Sequence, residues 1–125
     1  MRSINRVILI GHLGSDPKVQ TTKTGKKVAR FSLATNYDTT VEGEKKQYVD
    51  FHKIVAWGSL AEIAEKWLKK GMGVYIEGRL HNNKFEKDGQ KRVVTEVVID
   101  NLNILKWGKG ESGAEEMNVA EPGEK

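Results

Sequence analysis

The 125-residue sequence predicts an all-β domain, a small barrel of five strands with one helix between the third and the fourth strand. Two observations lead to this fold class. Five segments are rich in β-branched and aromatic residues, alternate or run continuously apolar, and are bounded by turn residues. A single segment carries apolar residues at helical spacing, and one helix among several long strands argues against a parallel sheet built from βαβ units.

The first three strands are predicted over residues 5–13, 28–36 and 48–57. The first is a continuous apolar run that stops at the turn residues 14–17, and the other two alternate between the two sides of a strand. Residues 37–47, between the second and the third strand, are mostly polar and include a glycine between charges. We therefore predict a flexible hairpin loop there.

The helix is predicted over residues 60–70, where apolar residues recur every three or four positions: Leu60, Ile63, Ala64, Trp67 and Leu68. Ser59 is the predicted N-cap and Gly71 the predicted C-cap. Acidic residues lie early in this segment and basic residues late, which suits the helix dipole.

The last two strands are predicted over residues 73–80 and 91–106, with Gly78 as a bulge or bend. Residues 82–90 between them form a polar loop whose Asp88-Gly89 pair is typical of a hairpin turn. Three strands, one helix and two further strands give the order of the five-stranded Greek-key barrel called the OB-fold.

The charge is divided unevenly along the chain. Residues 1–107 carry 19 Lys and Arg against 12 Asp and Glu, whereas residues 108–125 carry two against five. The sequence predicts one basic domain over 1–107 and a disordered acidic tail, rich in Gly and Glu, over 108–125. A basic domain favours a polyanionic partner, and a merely solubilising surface charge is the alternative.

The absence of cysteine excludes disulfides and thiolate chemistry. No apolar run approaches the length of a membrane helix, and the N-terminal residues lead directly into a strand and do not resemble a signal peptide. We therefore expect a cytoplasmic protein that does not contact a membrane.

No set of residues predicts catalysis. The three histidines, His12, His52 and His81, lie on separate elements, and no HxxxH, DxD or GxSxG pattern occurs. The G-x-x-G from Gly11 to Gly14 is too short for a dinucleotide fingerprint and no helix follows it. We expect no enzyme activity, no metal site and no cofactor.

The third predicted strand carries the main candidate site. Phe51, Lys53 and Trp57 share one side of it, and His52 lies on the other. Rings on which bases can stack, beside a cation for the phosphate, are what a single-stranded nucleic acid needs. The alternative is that Phe51 and Trp57 are core residues, as most strand aromatics are.

The predicted loops carry two further aromatic residues. Phe85 follows Lys84 in the 82–90 loop, where it is either a second stacking ring or a local anchor folded back onto the domain. Tyr37 begins the other loop, which also contains Lys45 and Lys46, and gives a weaker signal of the same kind.

The chain resembles the bacterial single-stranded DNA-binding proteins over roughly residues 4–105. No single motif carries the resemblance, which depends on the order and spacing of several. They are residues 5–17 (NRVILIGHLGSDP), 31–35 (FSLAT), 51–58 (FHKIVAWG), 68–71 (LKKG), 74–80 (VYIEGRL) and 95–98 (TEVV).

This resemblance implies an OB-fold, assembled as a homotetramer, that wraps single-stranded DNA. The family's stacking aromatics fall on Phe51, Trp57 and Phe85, and its histidine near the subunit contact falls on His52. The matching basic positions are Arg6, Lys53 and Lys84, with Lys69 and Lys70 more loosely placed. The implied function is sequence-independent binding and protection of single strands in replication, recombination and repair.

The chain departs from the family pattern in two places. Tyr37 lies in a loop where the family often carries a tryptophan. Either Tyr37 stacks on a base in place of that tryptophan, or this stacking position is missing from the chain. The last residues, 121–125, lack the family's acidic tip that docks onto replication and repair enzymes, so that partner function is not carried over. An OB-fold adaptor with weak nucleic-acid binding and a binder of structured RNA are the alternative functions.

Overall fold

The computed structural model of the chain describes residues 1–107, so the tail predicted over 108–125 lies outside the described residues. The described part consists of the following elements: β1 (Val7–Leu13), β2 (Lys18–Thr21), β3 (Lys27–Val41), β4 (Glu44–Trp57), α1 (Ser59–Trp67), β5 (Gly73–Lys87) and β6 (Gln90–Lys106). No helix within 1–107 is long and apolar enough to cross a membrane.

Five of the strands close into a barrel. The strands lie in the order β1-β5-β6-β4-β3-β2, and β1 also pairs with β3, which joins the two sides of the sheet. All neighbouring pairs are antiparallel except β4 and β6, which run parallel where Ile54 lies beside Val97. Helix α1 follows the third barrel strand and precedes the fourth, so the predicted OB-fold is confirmed.

Strand β2 is the element that the sequence did not predict. It has four residues, pairs with β3 outside the barrel ring, and buries only part of Val19. A short, mostly polar edge strand lacks the alternation by which a half-buried strand is recognised.

The core fills the barrel interior from one side of each strand. Its largest fully buried side chains are Leu33, Ile54, Ile76 and Val74. The helix adds Ala61 and Ala64, whose small side chains are wholly buried. Ile63 and Trp67, which recur at the same helical spacing as Ala64, remain 38% and 46% exposed.

The helix is shorter than predicted. Gly58 and not Ser59 holds the N-cap position, and no side chain caps the helix start. At the other end Leu68 is the C-cap, three residues before Gly71. Leu68 has extended backbone (φ −84°, ψ 138°) and is only 3% exposed, so its side chain turns into the core and the helix ends there.

The two polar loops predicted over 37–47 and 82–90 are instead the ends of long hairpins. Strands β3 and β4 pair up to Val41 and Glu44, and β5 and β6 pair up to Lys87 and Gln90. Each hairpin turns through two residues with positive φ, Glu42-Gly43 and Asp88-Gly89, which is the type I′ geometry that matches strand twist. The loop prediction was wrong because both sides of these strand ends are largely in water. Neither side then requires apolar residues, so the sequence lacks the alternation of polar and apolar residues by which a strand is recognised.

Gly78 lies at the register shift between β5 and β6, as predicted. A Cβ at this position would lie 2.1 Å from the carbonyl oxygen of Val98 and 2.7 Å from the Cα of Ile99. We expect Gly78→Ala to lower the free energy of unfolding by about 1–3 kcal/mol, because the backbone must shift to admit the methyl group. Denaturant unfolding measures the change.

Gly89→Asn is the matched control for this substitution. Gly89 has φ 75° with open space around it, and asparagine tolerates the left-handed conformation, so the loss is expected to be small. Equal stability of Gly78→Ala and the unchanged chain would contradict the close packing at the bulge.

Candidate nucleic-acid interface

The outer side of β4 presents the aromatic and basic residues that the sequence singled out. Phe51 is 64% exposed and Trp57 is 41% exposed, and Lys53 is exposed between them. Val55 lies on the same side but is buried, so it forms the floor between Lys53 and Trp57. The core alternative is therefore wrong for both rings.

Phe51 is supported from beneath by backbone. A Cβ on Gly14 would lie 3.1 Å and 3.3 Å from two carbons of the Phe51 ring, so the ring packs directly against the turn that follows β1. Ala34 pairs with Phe51 across the β3–β4 ladder and leaves room beside the ring. One side of the ring is thus fixed and much of the rest faces solvent.

The β5–β6 hairpin continues the same outer surface. Val55 pairs with Val98, and Val98 in turn pairs with Arg79, so these three side chains point to one side. Every second residue of β5 points to the same side. Counted from Arg79, this alternation puts Phe85, which is 39% exposed, on that side too. Phe51, Lys53, Trp57 and Phe85 therefore point to the same side of their strands, and we call these four side chains the aromatic face.

Lys84 does not share that surface. It precedes Phe85 directly and pairs with Val93, so strand alternation places it on the opposite side of the hairpin. That side of the hairpin also carries Leu80 and Val93, which line a groove of about 370 Å³ together with Phe51 and Lys53.

An ion pair occupies the groove between β4 and the β5–β6 hairpin. Arg30 Nη1 lies 2.5 Å from Glu96 Oε2, and the Glu96 side chain is only 7% exposed. The groove encloses about 160 Å³ and is also lined by Trp57, Arg79 and His81. Sequence analysis did not select these charged residues, although alternation along 28–36 puts Arg30 on the opposite side from the buried Phe31 and Leu33.

Arg6 is held by carboxylates at the start of β1. Its guanidinium lies 3.0 Å from Glu77 Oε1 and 3.7 Å from Asp100 Oδ2. The Tyr75 hydroxyl donates to Glu77 Oε2 at 2.5 Å, and Asn101 donates to Oε1 at 3.4 Å. Much of the positive charge of Arg6 is therefore compensated within the domain.

The hydrogen bond between Tyr75 and Glu77 shifts both groups. The donated hydroxyl, followed by the Asn101 amide, lowers the pKa of Glu77. Burial opposes this shift, and the charge of Arg6 adds a smaller lowering effect. The same hydrogen bond raises the pKa of Tyr75, because losing the proton would break it. Glu77 is thus held ionised opposite Arg6.

Lys69 and Lys70 lie in the segment that joins α1 to β5. The Lys70 amide donates to Asp16 Oδ1 at 2.8 Å, and the Gly71 amide donates to the Leu13 carbonyl at 2.9 Å. This segment is therefore fixed against the turn at residues 14–17, the same turn on which the Phe51 ring packs. Both lysine side chains are exposed.

Tyr37 and His52 lie on the other side of the β3–β4 pair from Phe51. The Tyr37 ring stacks on Tyr48 with a centroid distance of 5.3 Å and an interplanar angle of 24°. His52 is half-buried, with Nε2 2.9 Å from Thr35 Oγ1. Tyr48, the partner of Tyr37, was not selected from the sequence, although two tyrosines at matching distances from a hairpin turn are a detectable signal.

Within residues 1–107, no three histidine or carboxylate side chains converge on a point that could hold a metal ion. The geometry instead offers an OB barrel with exposed rings and cations along one side. These features together define the class of OB-fold proteins that bind single-stranded nucleic acid.

Comparison with known proteins gives the family. The sequence matches the single-strand binding protein family over residues 4–105, so the chain belongs to that family. It is 43% identical over 115 residues to the single-stranded DNA-binding protein 1 of Chlorobaculum tepidum, a match that covers 90% of this chain and 70% of the relative.

Solved structures of two single-stranded DNA-binding proteins are among those that share the fold. One is the Plasmodium falciparum protein in complex with single-stranded DNA, with a TM-score of 0.77 and 34% identity, covering 85% of this chain and 98% of that chain. The other is a deletion mutant of the single-stranded DNA-binding protein from Thermus aquaticus, with a TM-score of 0.73 and 31% identity. That match covers 82% of this chain and 51% of the Thermus chain.

Proposed function

We propose that this chain binds single-stranded DNA without sequence preference and protects it during replication, recombination and repair. The observation that carries this function is the aromatic face, where three exposed rings and Lys53 point to the same side of their strands. Membership of the single-strand binding protein family supports it and favours DNA binding over an adaptor role.

Stacking explains why binding is indifferent to sequence and selective for unpaired strands. Every base has a π-face, so Phe51, Trp57 and Phe85 accept any base. In a duplex those faces are covered by neighbouring base pairs, and the rings have nothing to contact. Phe51 is well suited to this role because the turn at residues 14–17 fixes its ring before DNA arrives.

Cations that are not already paired supply the electrostatic attraction. Lys53 forms no ion pair within residues 1–107, whereas Arg30 and Arg6 are both held by carboxylates. Lys53 is therefore proposed as a phosphate-neutralising residue of the aromatic face, beside Arg79, which is exposed and also forms no ion pair within residues 1–107. Further contacts outside this face are proposed for the other predicted positions: Arg6, Tyr37, Lys69, Lys70 and Lys84.

We infer that the chain acts as a binding protein and not as an enzyme, without a cofactor. The family it belongs to is defined by single-strand binding, and stacking with phosphate neutralisation accounts for that activity without a reacting group. We further propose that it acts in the cytoplasm, as one DNA-binding domain over 1–107 followed by an acidic tail over 108–125.

We also propose that four copies assemble into a homotetramer. Ile8 and Ile10 are 56% and 61% exposed on the outer side of β1, and β1 pairs with β3 only at His12 and Leu13. The remaining edge of β1 has unpaired backbone groups next to exposed apolar side chains, a combination that another copy can cover. His52, which is half-buried and contacts Thr35, is proposed as a further residue near the contact.

Light scattering tests the assembly. We expect a solution mass near four times the chain mass of 14.0 kDa, and a smaller mass for the double substitution Ile8→Ser with Ile10→Ser. The reason is that the serines remove the apolar area that association would bury. A mass equal to one chain for the unchanged protein would contradict the tetramer.

The role of Trp57 is tested by titration with labelled oligo(dT). Trp57→Ala is expected to weaken binding by about tenfold or more, because stacking contributes on the order of 1–3 kcal/mol per base. Trp57→Phe keeps a ring on the same strand and is expected to retain most of the affinity. If the alanine variant is folded and assembled yet binds as tightly as the unchanged chain, Trp57 does not stack on DNA.

The division between paired and unpaired cations is tested by the salt dependence of oligo(dT) binding. Lys53→Gln is expected to reduce the slope of log affinity against log salt by about 0.7, the value for one single-strand phosphate contact. Arg30→Gln leaves the slope nearly unchanged because Glu96 already neutralises that charge, and Glu96→Gln steepens it. Equal effects of the Lys53 and Arg30 substitutions would contradict this assignment.

A further inference from the structure

Two tryptophans away from the aromatic face form an exposed pair. Trp67 ends α1 and Trp107 follows β6, and their rings meet edge to face at 5.7 Å with an interplanar angle of 87°. The two residues are 46% and 53% exposed. The barrel core does not account for them, because α1 buries its alanines instead.

Of the lysines in residues 1–107, four lie no more than three positions from one of these tryptophans in the sequence. Lys66 Nζ lies 5.2 Å from the centroid of the Trp67 ring, and Lys106 directly precedes Trp107 in the chain. Lys69 and Lys70 follow the helix. None of these four lysines forms an ion pair within residues 1–107, where the acid nearest in sequence, Glu65, is bound to Lys27 at 2.7 Å.

This composition favours a polyanion over a protein as the occupant. The cores of protein–protein interfaces are rich in aromatic residues but depleted of lysine. Exposed rings interleaved with unpaired cations instead repeat the chemistry of Phe51, Lys53 and Trp57 on β4.

The pair is also connected to the aromatic face. Phe51 packs on Gly14, and two residues later Asp16 accepts the Lys70 amide. From Lys70 the chain leads back through Lys69 to Trp67. A bound strand that leaves Phe51 over the turn at residues 14–17 would therefore pass Asp16, whose carboxylate accepts the Lys70 amide, and then the exposed Lys70 and Lys69 before it reaches Trp67.

We propose that Trp67 and Trp107 form a second base-stacking site, which takes unpaired bases of the same DNA strand after it leaves the aromatic face across Lys69 and Lys70. The proposal rests on the proposed function, since it extends the same DNA path. It follows that short oligonucleotides occupy the aromatic face alone, and only longer ones engage the tryptophan pair.

Oligo(dT) of increasing length, labelled at one end, tests the site by fluorescence anisotropy on the full chain. The variant is Trp67→Leu with Trp107→Leu, which keeps apolar side chains but removes both rings. We expect the affinity for long oligonucleotides to fall by about tenfold, within the range for losing a stacked base, and the affinity for the shortest bound length to stay unchanged.

Ile63→Ala is the matched control. Ile63 is 38% exposed on the same helix but belongs to no ring or lysine cluster, so its loss is expected to change neither affinity. Circular dichroism and light scattering establish that each variant keeps its fold and its mass.

A direct readout comes from 5-fluorotryptophan incorporated at the three tryptophans. Each ¹⁹F resonance is assigned by its loss in a single Trp→Phe variant. A short oligonucleotide is expected to shift the Trp57 resonance alone, and a long one to shift all three.

The outcomes separate the two proposals. If the double variant loses affinity for short and long oligonucleotides equally, or for neither, or if no length shifts the Trp67 and Trp107 resonances, the second site is refuted while the aromatic face stands. If the unchanged chain binds no length of oligo(dT), the proposed function itself fails.

Discussion

Closure of the barrel is the constraint on which the other features depend. β1 pairs with β5 along one edge and with β3 at the other. The second pairing closes the five strands into a barrel, so each strand has one side facing the interior and one facing outward. Because side chains alternate along a strand, burying Ile54 and Ala56 forces Phe51, Lys53 and Trp57 outward. The exposed rings are thus a direct consequence of how the core is filled, and they need no loop to present them.

The hairpins extend that surface beyond the barrel. Strands of 15, 14, 15 and 17 residues exceed what the barrel can cover, so their ends project into solvent as two-stranded ribbons. Phe85 lies on one ribbon and the Tyr37–Tyr48 stack on the other. A ribbon with both sides in water gains little stability from packing. Its type I′ turn therefore does much to fix the pairing register of its two strands.

Whether a basic residue of this protein can attract phosphate depends on whether a carboxylate already pairs with it. Arg6 and Arg30 lie on or beside the proposed DNA surface, yet each is held by a carboxylate at 3.0 Å or less. Lys53 and the lysines that follow α1 have no such partner within residues 1–107. The net charge of +4 therefore understates the local attraction for phosphate at Lys53 and overstates it at Arg30.

Local patterning by itself determined the OB-fold, the bulge at Gly78, the Asp88-Gly89 turn and the shared side of Phe51, Lys53 and Trp57, because period and turn chemistry are properties of adjacent residues. Tertiary structure decided what depends on distant ones. Strand β2 and the long hairpins form because their residues pair with strands elsewhere in the chain. The helix ends at Leu68 because the side chain of Leu68 packs into the core. The Arg30–Glu96 pair joins residues 66 positions apart, and the meeting of Trp67 with Trp107 likewise requires the barrel to close first.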